Sequence, residues 1–526
     1  MTPTSGGAAA LPERVHVLVV GAGFGGIAAA VRLSQAGHDL RVLEKADDVG
    51  GTWRDNSYPG AGCDVQSHLY SFSFAMNPDW TRSFSLQPEI HAYLHDVVRR
   101  FDVGRFIRCG VEVLGARWDD ARSVWAVTTS AGDVLADVLV NASGPLSEPR
   151  LPDGVTTDTF TGTVMHTARW DSSLDLTGRR VAVVGTGASA IQLVPQVAKV
   201  AASVTVMQRT PAWVIPRNQH RIPAWRRALY RRVPAVQKGV RGAIYAGREL
   251  MVLGFVGRPA LMRTVELLSR RTMEKAISDP HLRAVLTPRY RAGCKRILIS
   301  DDFYPALARP NVEVVPQAVT RLEGDEVVGA GGTRRTADVV VFATGFEATD
   351  LPVARHVVGR AGRSLADVWS GTGMQALRGA TVTGFPNLFF LIGPNTGLGH
   401  SSMVHVIESQ LAYLLDALDL MRRKGFDVME PQQRAQDAWN ADVQERLSMT
   451  IWATGGCSSW YQDAQGRIST LWPGTTWRLR RQTRRVDLGE YRTARRADGA
   501  APAPAPSAQP AAQPAAEQAV ATQGGR

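Results

Sequence analysis

Two glycine turns, each followed by a charged or polar residue at a fixed distance, carry most of the chemistry that this sequence can announce. The first, Gly21-Ala-Gly23-Phe24-Gly-Gly26, follows an apolar run at 15–20 and precedes an alanine-rich segment. Gly21 permits a tight turn, Gly23 lets backbone approach a pyrophosphate, and Gly26 lets helix and strand pack closely. The phosphates then meet free N–H groups at a helix N-terminus. Twenty-three residues after Gly21 stands Glu44, where a carboxylate binds ribose hydroxyls and repels a ribose phosphate. The second turn, Gly185-Thr-Gly187-Ala-Ser189-Ala190, repeats the pattern with alanine in third place. The same count from Gly185 reaches Gln208, a neutral amide, with Arg209 and Thr210 after it. A guanidinium fork matches phosphate oxygens. The first site therefore suits FAD and the second NADPH, the plain alternative being an arginine that merely ends a surface strand. Two dinucleotide sites in one chain imply electron traffic between them.

Such residues need elements to hold them. Strand-like runs ending in small-residue turns recur at 136–144 and 338–345, a further buried strand is expected at 387–392, and a helix at 402–422. Alternating strands and helices predict an α/β fold with parallel sheets, made of two Rossmann-like dinucleotide-binding domains. The expected division is an FAD-binding domain in two parts, 1–150 and 341–494, around an NADPH-binding domain at 151–340. A helical insertion at about 218–288 belongs to the NADPH domain. From 495 to 526 the chain is Ala, Pro and Gln with almost no large apolar residues, and is expected to be disordered.

Composition narrows the classes. With 526 residues, 44% hydrophobic and 21% charged, the chain has the make-up of a globular protein. No apolar run approaches the roughly 20 residues of a membrane-spanning helix, and residues 1–12 lack the charged and apolar regions of a signal peptide. Cys63, Cys109, Cys294 and Cys457 show no metal-type spacing, which predicts reduced thiols in a cytoplasm. The formal charge of +12 invites nucleic acid, yet no nucleic-acid-binding motif is present. Arg226, Arg227, Arg231, Arg232, Lys238, Arg241 and Arg248 sit among Trp225, Leu229, Val233 and Ile244. They form either a solvated arginine-rich helical face or one that touches anionic membrane.

Beyond these turns the residues resemble the class B flavoprotein monooxygenases, and within them the Baeyer–Villiger monooxygenases, over about 15–491. The most specific stretch is Phe160-Thr-Gly162-Thr-Val-Met-His166-Thr-Ala-Arg-Trp170-Asp171, which fits the family fingerprint. Relatives that oxygenate amines and sulfides usually carry Tyr or Phe where Trp170 stands. In this context His166 resembles a hinge residue between domains. Gly50-Gly-Thr52-Trp53, Tyr58 to Asp64, and Tyr70 resemble the segment lining the flavin. Gly293-Cys-Lys295-Arg296 resembles the segment that supplies a catalytic arginine and an NADPH-binding lysine. Ala343-Thr-Gly345 resembles the family's link back to the flavin domain, and 384–395 the strand and turn beneath the isoalloxazine ring. The aromatic stretches 452–461 and 471–474 resemble those of a subgroup, and either shape a substrate site or fill a core.

The resemblance implies an enzyme that inserts one oxygen atom of O2 into a ketone through a C4a-peroxyflavin, giving an ester or lactone. Arg296 would stabilise negative charge and Asp64 would orient it, while Arg209, Thr210 and Lys295 would hold NADPH. A flavin-containing monooxygenase acting on nitrogen or sulfur is the neighbouring reading, and a flavin-based redox sensor the reading from another class. The sequence shows neither a Ser-His-Asp set nor a metal constellation.

Overall fold

The apolar run behind the first glycine turn is the strand Arg14–Val20, central in an eight-stranded sheet. Val15, Val17, Leu18 and Val19 are wholly buried. Burial on both faces explains why the run is continuous instead of alternating. Leu40–Leu43 and Gly132–Asn141 flank it in parallel. The computed structural model describes residues 11–496 apart from Ala464.

Gly132–Asn141 has two partners along its other edge. Its first half pairs antiparallel with Val124–Thr129, and its second half pairs parallel with Leu388–Phe390. The expected parallel pairings are present, and the first sheet adds an antiparallel part to them. The strands Val113–Asp119 and Val124–Thr129 form an antiparallel hairpin, because so short a connection allows no crossover.

The second glycine turn belongs to another sheet, whose five strands are all parallel. Their order is Val312–Val315, Ser203–Met207, Arg180–Val184, Val339–Phe342 and Thr163–His166. Helix Ala188–Val197 follows the turn. Between Ser203–Met207 and Val312–Val315 the chain runs through helices Ala224–Arg232, Pro234–Val252, Met262–Ala276 and Pro280–Leu286.

Late in the chain, helix Met403–Lys424 returns to the first sheet. Val404, Ile407, Leu411, Leu414 and Leu418 recur at helical spacing and enter the core that holds helix Phe24–Gln35. Ser402 caps this helix by accepting from the Val404 N–H, and Gly425 closes it at φ 68°. Arg422, Arg423 and Lys424 occupy the last turn, where cations oppose the negative end of the helix dipole.

Two expectations about charge are corrected. Arg241 is buried and donates to the carbonyls of His68, Leu69 and Ser71, and Arg248 donates to the carbonyl of Asp64. Both leave the basic face to which composition assigned them, because loop carbonyls without secondary-structure partners need donors. The tail, expected from 495, lies outside the described residues from 497 onward, but its first two arginines are held: Arg495 donates to Gly425 and Arg496 to Ser123 and Asp137. No helix among the described residues is long and apolar enough to cross a membrane.

Several histidines are folded into these cores uncharged. Burial, with nearby arginines assisting, pushes His68, His166 and His405 down to about 4. Each must gain a proton on unfolding below the ordinary histidine value near 6.5. Stability is therefore full above that value and declines as pH falls towards 4. Urea midpoints measured from pH 7.5 to 4.5 are expected to fall steadily below about 6.5, and replacing His166 and His405 with Gln should flatten the slope.

Candidate active site

The glycines of the first turn are required by geometry. Gly21 stands at φ +98°, and a Cβ there would lie 2.8 Å from the Ala142 carbonyl oxygen; one on Gly26 would lie 1.8 Å from that of Gly21. The missing Cβ of Gly23 meets only the Gly51 Cα, at 3.7 Å. Helix Phe24–Gln35 has no side-chain cap at its N-terminus. An open glycine face beside uncapped N–H groups fits a pyrophosphate. Glu44 is buried and accepts from Ala22 N at 2.8 Å, Ala46 N at 3.1 Å and Arg54 Nη1 at 3.0 Å. A carboxylate offers about four acceptor positions, so one remains for a ribose hydroxyl. Arg54 gave no signal in the sequence.

Thr52 and Trp53 begin the short helix Thr52–Asp55. The Trp53 indole donates to Tyr70 Oη at 3.0 Å, and Phe24 meets Tyr70 edge-on at 5.0 Å. Burial holds the Tyr70 hydroxyl far above its ordinary value, so it stays protonated. The strand Leu388–Phe390 runs into a turn in which Ile392 has φ 64° and Asn395 φ 55°. A β-branched residue in the left-handed region is strained; here the Ile392 N–H is pinned by Gln410 Oε1. Leu391 sits against Gly25, which brings this turn to the first glycine helix.

The second turn repeats the argument. Gly185 has φ +115° with the Ala343 carbonyl where a Cβ would stand, while Gly187 faces open space. Ala190 is buried in the core of the second sheet. Ser189 stands near Tyr58, whose hydroxyl burial pushes up to about 12. Arg209 is exposed beyond the strand end, and the Thr210 carbonyl accepts from Thr186. Burial and the Arg209 charge together depress the Lys295 ammonium. Two cations that raise each other's energy are suited to a doubly charged phosphate.

Arg296 turns away from Lys295 towards Asp64, with Nε and Nη2 at 2.8 and 2.6 Å from Oδ2. Their side chains remain 31% and 26% exposed. Burial pushes the Asp64 carboxyl up, but Arg296, Arg248 and Arg217 outweigh it and hold it below the ordinary range. Arg296 is raised further, first by the Asp64 charge. Asp64 thus faces three guanidiniums; Arg217 also lies near Asp301 and Asp302, so the spare positive charge rests on Arg296 and Arg248. Tyr461 is buried, and its hydroxyl lies within reach of the Arg296 charge from the C-terminal segment. Arg217, Arg248 and Tyr461 were absent from the sequence-predicted site. Only Tyr461 lay in a stretch singled out for its aromatics, where Trp452 and Trp472 are core residues and Trp460 is exposed.

The two units touch beside this pair. Gln192, on the helix after the second turn, accepts from Tyr58 Oη and Gly62 N and donates to Gly62 O. His166 ends a strand of the second sheet, accepts from Ala168 N and packs edge-on to Phe346. Trp170 packs on the second core. Asp48, His91 and His95 are the single grouping of metal-type donors among the described residues. Their hydrogen bonds to one another and to Val49 O hold the Gly50–Gly51 loop.

The cysteine expectation is corrected as well. Cys294 and Cys457, 163 residues apart, form a disulfide, while Cys63 and Cys109 are free. Spacing along the chain says nothing about a pair that tertiary packing brings together.

A family model described as "Pyridine nucleotide-disulphide oxidoreductase" matches residues 15–232. The chain is 53% identical to a "Baeyer-Villiger monooxygenase" of Streptomyces coelicolor, over 92% of this chain and 94% of that protein. It is 46% identical to another so named from Pseudomonas aeruginosa, over 92% of each. The chain belongs to the Baeyer–Villiger monooxygenase family. A crystal structure of an "OTEMO complex with FAD and NADP" is similar with a TM-score of 0.81 and 26% identity, covering 91% of this chain and 99% of that one. The mixed α/β fold is that of this family.

The disulfide closes a long loop, so its removal is costly. Unfolded without reductant, the protein should titrate two thiols, and four after reduction. Cys457→Ser is expected to lower stability by about 2–5 kcal/mol, read from the urea midpoint.

Proposed function

We propose that this family member is an FAD- and NADPH-dependent monooxygenase that converts a ketone, O2, NADPH and a proton into an ester or lactone, NADP⁺ and water. Residues 1–150 and 341–494 form the FAD-binding domain, and residues 151–340 the NADPH-binding domain. When bound, the flavin carries electrons from NADPH to oxygen and oxygen to the ketone. The observation that carries the reading is the Arg296–Asp64 pair with its surplus of positive charge.

Each residue then has a task. Gly21, Gly23 and Gly26 admit the flavin pyrophosphate, Glu44 its ribose, and Trp53 and Tyr70 wall the cleft. Gly185, Gly187, Ser189 and Ala190 admit the second dinucleotide. Arg209 and Lys295 grip its ribose phosphate, with Thr210 beside them. Arg296 stabilises the negative charge that gathers on the ketone oxygen during attack, since a fixed cation needs no reorganisation at that moment. Asp64 orients the guanidinium. Its single charge does not neutralise the arginines around it. The enzyme works in the cytoplasm, where NADPH is supplied.

Purified holoenzyme given NADPH, O2 and a panel of ketones and sulfides should yield an ester one oxygen heavier than its ketone. Sulfoxide with no ester would assign it to the nitrogen- and sulfur-oxygenating group. NADPH oxidised only to hydrogen peroxide across the panel would count against ketone oxygenation. Arg296→Ala should keep flavin reduction by NADPH yet lose ester formation by about 100-fold or more, releasing hydrogen peroxide. Arg209→Ala and Lys295→Ala should each raise the KM for NADPH by roughly 10- to 100-fold and leave that for NADH nearly unchanged.

A further inference from the structure

Helix Pro234–Val252 is polar on its inner side and apolar on its outer one. Arg241, Arg248 and Gln237 point into the protein, bonded to the segment 64–77. Val236, Gly239, Ala243, Ala246 and Leu250 recur at helical spacing and are exposed. Leu250 is 68% exposed and Leu253, just past the helix, 52%. None of these five outer residues is charged, and Lys238, outside that row, is the one exposed charged side chain of the helix. From Val236 to Leu250 the outer row spans about 21 Å at 1.5 Å per residue.

The preceding helix Ala224–Arg232 extends the feature. Trp225 is 68% exposed, with Leu229 and Val233 also outside, and Arg226, Arg231 and Arg232 lie among them. Between residues 221 and 275 the sequence holds thirteen arginines and lysines against three glutamates, so this stretch accounts for most of the chain's net positive charge of +12. Of the arginines on the Ala224–Arg232 helix, Arg231 pairs with Asp79.

We propose that the outer face of 224–253 docks on an anionic lipid bilayer. An exposed tryptophan and leucines beside unneutralised arginines fit the boundary between acyl chains and acidic headgroups. A second copy of the chain would bring the same positive rim against itself and be repelled. Water gives the apolar row no partner, and a contiguous exposed row of this kind marks a contact surface. The inner side of the same helix holds the backbone of Asp64 through Arg248, so docking seats the protein by the back of its candidate active site.

Holoenzyme should co-sediment with phosphatidylglycerol-containing vesicles, and far less with phosphatidylcholine alone. Replacing Arg232 and Lys238 together with Gln should weaken binding by roughly 25-fold, at about fivefold per charge, and 0.5 M salt should weaken the wild type at least as much. Val236→Glu with Leu250→Glu should abolish binding while flavin content and NADPH oxidation without vesicles stay unchanged, which reports intact folding. Absence of binding to the acidic vesicles, or binding that survives both sets of substitutions, overturns the proposal. So does a dimer seen by sedimentation that Val236→Glu with Leu250→Glu dissociates, because the face would then belong to a second copy. If only removal of residues 497–526 permits vesicle binding, that segment is the occupant of the face and the proposal likewise falls.

Discussion

Arg296 reaches Asp64 across 232 residues of chain, and everything around the candidate site is arranged to make that contact tolerable. Taking a carboxylate and a guanidinium out of water is expensive unless geometry is good and the remaining donors and acceptors are satisfied. Here the carboxylate takes two guanidinium nitrogens, the Asp64 backbone takes Arg248, the neighbouring Cys63 carbonyl takes Arg217, and Tyr461 meets Arg296. Arg217 and Arg248 are themselves depressed by burial. The arrangement is stable as a set and unbalanced in charge, which is the condition under which a developing anion is welcome.

That set draws on five stretches of chain, so the scaffold must fix each of them. The first sheet holds the loop carrying Asp64, and the Gln192 clamp joins that loop to the second glycine helix. The helical insertion supplies Arg248, and the C-terminal segment supplies Tyr461. The Cys294–Cys457 disulfide ties the arginine's own strand of chain to that last segment. Packing reinforces the tie: a Cβ on Gly455 would stand 2.5 Å from the Cys294 Cβ.

Much of this was legible because it is local. A turn that excludes side chains writes itself as glycine, and strands buried on both faces write themselves as unbroken Val and Leu. Glu44 and Arg209 follow from counting, since strand and helix lengths set where the next strand ends. Arg296 and Asp64 were legible only through likeness to a family; nothing local distinguishes them from a surface ion pair. Arg248 and Arg241 were misplaced because a helix rich in arginine normally turns it to water, and only the loop carbonyls opposite reverse the preference. The disulfide and Tyr461 were illegible for the same reason: their partners are distant in sequence.

The doubly partnered strand Gly132–Asn141 also bears on how the chain is made. Asn387 donates to Asp137 over a separation of 250 residues, and the strand that follows Asn387 completes the first sheet's parallel edge. A growing chain therefore leaves the ribosome with that edge uncovered until residue 390 has been synthesised, and the apolar side of helix Phe24–Gln35 until residue 424. The second sheet, whose strands all lie between 163 and 342, is complete first. Late closure of this kind exposes unpaired strand edge to other nascent chains, so the yield of soluble protein should depend on translation speed and on chaperones that bind extended apolar segments.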